Sequence, residues 1–305
     1  MHLQAINRPE YALRPRSVVR RLRVPFAPTG EGLEVQVTPS WGQPVTVRTD
    51  EAIGYAVAVT GVFDLAVTEA LLRLTDIGDT AIDVGANVGY MTSVMAASAG
   101  PTGRVLAFEP NPGLFRLLAQ TTNGWGAGCD VQVRPAAVSN REGTAQLVIP
   151  RDAHNDGLAR LGTAEGDAEV CDVECVTLDS LLSDARVGVL KIDVEGHEAE
   201  VLQGARELLR RRQVRDVIFE EHGEYPTESA RLLTNAGYTV RAVSRTFWGP
   251  RLEPPERSWA GWEGPSFLAT LEPGRAAQRF ASRGWRALGA TKPAACFRVF
   301  RKRSS

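Results

Sequence analysis

Thr80-Ala81-Ile82-Asp83-Val84-Gly85-Ala86-Asn87-Val88-Gly89-Tyr90 decides the fold of this chain. A short strand-like run ends at Gly85, and Gly89 to Ala97 reads as a helix stopped by Gly100-Pro101. Outward from this unit the pattern repeats. Arg104–Phe108 is a second strand with Glu109 at its carboxyl end. Asn111-Pro112 starts a helix, because Asn caps and Pro at the first helical position loses nothing by lacking an N–H; that helix runs to about Asn123-Gly124. Val187–Ile192 is a buried-type strand ending in Asp193. Val201, Leu202, Ala205, Leu208 and Leu209 place one apolar face on a helix over His197–Arg212. Val214–Phe219 is another strand, ending at Glu220-Glu221-His222. Strands alternating with helices at this spacing mean crossover connections and a mainly parallel sheet, so the fold class is α/β. Ligands of such sheets bind outside the carboxyl ends of the strands. Asp83, Glu109, Asp193 and Glu220 to His222 stand there, so acids crowd the rim.

Two ligand classes compete for the glycine loop. A dinucleotide fingerprint requires G-x-G-x-x-G, yet Asn87 occupies the middle position; a phosphate loop requires Gly-Lys-Ser/Thr, which is absent. Asp83 would repel a phosphate and favour an ammonium or sulfonium. Glu109, 20 residues after Gly89, is placed to accept hydrogen bonds from two ribose hydroxyls. A ribose, a cationic amino-acid end and no phosphate describe S-adenosylmethionine. The plain structural alternative is a tight turn beside a solvated acid.

Asp83-Val84-Gly85-Ala86-Asn87-Val88-Gly89-Tyr90, Phe108-Glu109-Pro110-Asn111-Pro112, Leu178-Asp179-Ser180-Leu181-Leu182, Leu190-Lys191-Ile192-Asp193-Val194-Glu195-Gly196-His197-Glu198 and Val201-Leu202-Gln203-Gly204-Ala205 together resemble the FkbM family of S-adenosylmethionine-dependent methyltransferases. The resemblance implies a Rossmann-like class I methyltransferase fold: seven strands, mainly parallel, the last antiparallel, with helices on both faces. Ser266–Leu271 would be the reversed strand, beside Tyr238–Val243. It implies further that Asp83, Gly85, Asn87 and Gly89 line the methionine end of the cofactor, and that Glu109 holds the ribose. Ala137 and Val138, with the Ser139 hydroxyl, would lie near the adenine, and Asp193 would lie beside the cofactor strand. The organisation expected is an N-terminal extension over 1–60, a methyltransferase domain over 61–272 and a C-terminal extension over 273–305.

Methyl transfer would leave S-adenosylhomocysteine and release a proton from a hydroxyl acceptor. Asp193 is the first choice for its base, with His222 and Glu195 as further catalytic candidates and Glu220 nearby. The structural alternatives are helix capping for Asp193, Glu195 and Glu198, and a solvated loop for His222 and for His154. Asp193, Glu195, Glu220 and His222 offer hard ligands to a divalent metal, but no tight metal-binding spacing is present, so none is predicted. Cys171 and Cys175 alternate on one side of a strand and read as core cysteines.

The acceptor pocket is expected from 1–60, 150–168 and 244–265. The last segment holds Phe247-Trp248 and Trp259-Ala260-Gly261-Trp262, which read as an apolar wall over the acceptor or, more plainly, as a satellite core covering the sheet edge, with Arg245 and Arg251 meeting an anionic acceptor or water. The favoured reading is O-methylation of a sugar or secondary metabolite. N-methylation of a peptide or amide and a nucleoside- or NAD-binding protein are the alternatives. Across the 305 residues, 35 Lys+Arg against 36 Asp+Glu leave a charge of −1, which gives no field for gripping nucleic acid. No apolar run is long enough to span a bilayer, the first residues lack a signal-peptide pattern, and four Cys are too few for a disulfide framework. A cytoplasmic protein acting on a small-molecule or peptide acceptor is the expectation, with a homo-oligomer left open.

Overall fold

Val187–Ile192 is buried at all six positions, as a strand covered on both faces must be. In a computed structural model of the chain it lies in the middle of an eight-stranded sheet. The structure describes residues 8–14, 17, 20, 21, 32–126, 128–150, 158–163, 168–182, 185–257, 265–289 and 298–300. His154, Trp259 and Trp262 lie outside them.

The sheet runs in the order Gly249–Glu253, Thr239–Thr246, Ser266–Thr270, Val214–Glu220, Val187–Ile192, Thr80–Val84, Arg104–Phe108, Asp130–Arg134. The last five are mutually parallel. Ser266–Thr270 is antiparallel to both its neighbours and is wedged between Val214–Glu220 and Thr239–Thr246. Seven strands thus follow the expected arrangement. The eighth, Gly249–Glu253, folds back as an edge hairpin from the Pro/Gly-rich connection.

Side chains alternate across this sheet with the strand period of two. Ala81, Val105, Val189, Ile218 and Leu268 enter one core, with helices Leu65–Leu74, Tyr90–Ala99 and Pro112–Asn123. Ile82, Leu106, Leu190 and Val217 enter the other, with Val201, Leu208 and Leu233. The expected helix over His197–Arg212 is in fact two short ones, Glu198–Gln203 and Arg206–Arg210. The break falls at Gly204, where an added Cβ would stand 1.9 Å from the Ser139 carbonyl oxygen. Asp179 then caps the second piece, accepting from the N–H groups of Glu207 and Leu208, both at 2.9 Å.

Residues flanking the family-like motifs pack into the same structure. Strands Glu34–Val37 and Val45–Arg48 form a small antiparallel sheet with Arg298–Phe300. Val35, Val37, Val45 and Val47, and Ala276 and Phe280 of helix Pro273–Ala281, share the core of Val94 and Val105. Arg14 donates to the carbonyls of Thr60, Ala287 and Gly289. One core therefore continues through positions 60 and 272. A third sheet carries Ala136–Val138, Ala168–Val176, Gly143–Pro150 and Arg160–Leu161. Cys171 and Cys175 belong to its apolar cluster, Cys175 buried and Cys171 at its margin. Among the described residues no single helix is long and apolar enough to cross a membrane.

Candidate active site

A cavity of about 450 Å³ opens at the carboxyl ends of the central strands. Its floor is the turn after Thr80–Val84. Gly85 adopts φ +76°, and any Cβ there would stand 1.9 Å from the backbone oxygen of Asp193. Only glycine lets the two strand ends approach this closely. Asn87 takes the left-handed φ of 51° with its own side chain accepting from the Val88 N–H at 2.7 Å. Gly89, φ +87°, turns the chain into helix Tyr90–Ala99.

Glu109 follows the neighbouring strand and faces this turn. One oxygen accepts from the Asn111 N–H at 2.9 Å and the other from the Asn87 N–H at 2.8 Å. Burial raises its pKa to about 7, against the pull of those two donors. Each oxygen keeps a second lone pair, which suits a vicinal diol. Gly85, Ala86, Asn87, Glu109, Ala136, Ala137 and Val138 all line the cavity. A nucleoside with a cationic tail fits this set: a glycine floor, a fixed carboxylate and an apolar shelf.

Three expected cofactor residues are not on the cavity wall. Gly89 sits behind the turn, packed near Leu118. Ser139 is buried, its hydroxyl 2.9 Å from Nε2 of His197, because the Ala136–Val138 strand runs on into the fold past the cavity. Asp83 is fully buried in the strand itself. Its Oδ2 accepts from the Thr92 hydroxyl at 2.6 Å, while Oδ1 has no hydrogen bond and faces Lys191 Nζ at 3.3 Å. Burial pushes the Asp83 carboxyl up, and Lys191 and Thr92 oppose that shift.

Lys191 is the residue sequence reasoning quoted without giving it a role. It lines the cavity yet is only 4% exposed. Nζ donates to the Gly85 carbonyl at 2.8 Å and lies 3.4 Å from the Asp193 carboxylate. Burial works against its charge, but Asp83 and Asp193 hold its pKa above the ordinary lysine value. A lysine inside an otherwise apolar strand was the available signal.

Asp193 stands on the cavity wall with its side chain 38% exposed, and its N–H donates to Val84. It does not cap the next helix. Glu198 holds that turn instead, accepting from the N–H groups of Val194 and Gly196 at 3.1 and 3.2 Å. Glu195 lines the cavity with a left-handed φ of 53°, its pKa raised by burial and by Asp193. Glu220, also on the wall, lies 3.2 Å from Nε2 of the exposed His222; burial and the charges of Asp193, Asp64 and Glu195 raise its pKa to about 8. Asp64, unremarked in the sequence, caps helix Leu65–Leu74 from inside the cavity. Burial takes its pKa to about 6, with Asp193 adding to the shift.

Ala52, Ile53, Phe63, Met91, Leu158 and Leu161 give the wall apolar stretches, and Arg160, His197 and Ser266 add further polar groups. Ala52 and Ile53 are residues of the expected N-terminal extension. Phe247 and Trp248 stand in an exposed turn outside the cavity, and Arg245 faces Glu10 at 3.7 Å. Among the described residues no group of three or more His, Cys, Asp or Glu side chains has a metal-holding arrangement.

The family described as methyltransferase FkbM domain matches residues 83–240. The chain is similar to the hexuronic acid methyltransferase AglP of Haloferax volcanii, at 31% identity over 56% of this chain and 67% of that protein. It is similar to the 31-O-demethyl-FK506 methyltransferase FkbM of Streptomyces tacrolimicus, at 33% identity over 54% of this chain and 74% of that one. An O-methyltransferase structure from Thermotoga maritima aligns at 16% identity with a TM-score of 0.40, covering 83% of this chain and 96% of that chain.

Proposed function

Because the chain belongs to the FkbM family of S-adenosylmethionine-dependent methyltransferases, we propose that it O-methylates a hydroxyl on a sugar or secondary-metabolite acceptor. Bound S-adenosylmethionine supplies a methyl on a cationic sulfur: the acceptor oxygen forms the new O–C bond as the S–C bond breaks and its electron pair stays on sulfur. Glu109 receives the ribose hydroxyls, and the Gly85–Asn87 turn leaves room for the methionine end.

The observation that carries the hydroxyl reading is the half-exposed Asp193 carboxylate on the cavity wall, beside the glycine floor. As an acceptor oxygen gains a methyl, its proton becomes strongly acidic. A carboxylate held in place then suffices to take it, and its position matters more than its basicity. General-base assistance of this kind is worth roughly 10²–10⁴ in rate. Holding donor and acceptor in line contributes up to about 7–11 kcal/mol in well-oriented cases. Ile53, Phe63 and Met91 offer an apolar surface for the acceptor's carbon skeleton.

The names of the two relatives support an oxygen acceptor, one a hexuronic acid and the other 31-O-demethyl-FK506. The test is mass spectrometry after incubation with isotope-labelled S-adenosylmethionine and three acceptor panels: sugars, hydroxylated macrocycles and peptides. Label on a hydroxyl oxygen supports the reading; label only on peptide nitrogen overturns it.

A further inference from the structure

Lys191 and Asp83 are register partners on adjacent parallel strands, both in the interior. A buried lysine is strongly disfavoured unless its charge is matched. Here Nζ is matched three ways, by the Gly85 carbonyl, Asp83 and Asp193. One of these partners forms the floor, one is hidden, and one stands on the cavity wall. The ammonium is thus the joint between the glycine turn and the proposed proton acceptor.

We propose that Lys191 is the positioning residue of this site: its ammonium locks the Gly85 turn to Asp193 and keeps the Asp193 carboxylate aimed into the cavity. The proposal rests on Asp193 taking the acceptor's proton. The surroundings show why a cation is needed. Asp193 faces Glu195 and Glu198 from its own loop, Asp64 from the start of helix Leu65–Leu74, and Glu220 from the neighbouring strand end. Asp83 lies behind it, and Glu109 faces Lys191 from across the floor. His222 lies beside Glu220 and Arg245 acts on Asp64, while Arg160 also lines the cavity. Without Lys191, nothing among the described residues ties the Asp193 carboxylate to the glycine floor against the repulsion of these acids.

Lys191→Met separates this role from simple scaffolding. Its kcat should fall by about a hundredfold or more, whereas in an Asp193→Asn background the same substitution should cost no more than about twofold, because Lys191 acts through Asp193. Affinity for S-adenosylhomocysteine, read by calorimetry, should fall by less than about tenfold. A scaffolding role would instead lower kcat by the same factor in both backgrounds. Equal losses with and without Asp193→Asn overturn the proposal. Should Lys191→Met not fold, Asp83→Asn/Lys191→Met removes both buried charges and should show the same dependence on Asp193; equal losses in the two backgrounds count against the role equally. Asp193→Asn, measured in parallel, isolates the underlying reading: unchanged kcat there rejects Asp193 as proton acceptor, whatever Lys191 does.

Discussion

The two ends of the cavity are built by opposite means. At the Gly85–Glu109 end the polar atoms are fixed by backbone: Glu109 is tied to two N–H groups, Asn87 to its neighbour, and Gly85 is pressed against Asp193. At the Asp64–Glu220 end several carboxylates crowd one wall, and burial with mutual repulsion raises the pKa of Asp64, Glu195 and Glu220. One end is a preformed mould. The other gathers several acids that act on one another's charge. Rigid recognition suits a cofactor common to a family, whereas adjustable charge suits an acceptor that varies between members.

The largest effect should come from breaking the mould. Gly85→Ala sets a methyl against the Asp193 carbonyl in a left-handed conformation, which should cost about 2–4 kcal/mol of stability and abolish cofactor binding. Urea unfolding and calorimetry with S-adenosylhomocysteine measure both; a melt within 1 kcal/mol of wild type, by the usual ~0.5 kcal/mol spread of neutral changes, would refute the packing argument.

A smaller change tests the carboxylate within the mould. Glu109→Gln should weaken S-adenosylhomocysteine binding by about 1–3 kcal/mol at pH 8. The sign of its pH dependence follows from a pKa of about 7 in the free protein. The ionised form accepts the ribose hydroxyls, so wild-type affinity should rise from pH 6 to 8 and then level off. The glutamine variant should lack that rise. A flat wild-type profile would remove Glu109 from the ribose site.

The smallest effect belongs to the adjustable wall. With a pKa of about 8, Glu220 is mostly protonated at pH 7, so the neutral isostere in Glu220→Gln should leave kcat within about twofold there. Above pH 8 the two proteins should diverge, because only wild type adds another negative charge beside Asp193. Equal divergence at pH 6.5 would mean that Glu220 is already ionised.

Much of the first end was legible in the chain. The Gly85–Gly89 spacing, the Asn111-Pro112 start and the strand ends at Asp83, Glu109 and Asp193 all report local backbone geometry, which neighbouring residues dictate. The second end was less legible. Asp64 belongs to no motif and reaches the cavity only because helix Leu65–Leu74 packs across the sheet. Asp83 was expected at the ligand, but its strand turns its side chain inward toward Lys191 and Thr92. The single helix drawn over His197–Arg212 obeyed apolar periodicity and broke at Gly204, where the approach of Ser139 leaves no room for a side chain.

By itself the sequence determined an alternating α/β order, a glycine turn shaped for a nucleoside and acids at the strand ends, since each follows from short-range sterics and hydrogen bonding. Tertiary structure alone decided which charges meet. Register set Lys191 beside Asp83, the close approach at Gly85 brought Asp193 to both, and Ala52 and Ile53 joined the apolar wall. Ionic partners in a sheet come from strands far apart in the chain. Their pairing exists only once the strands are laid side by side.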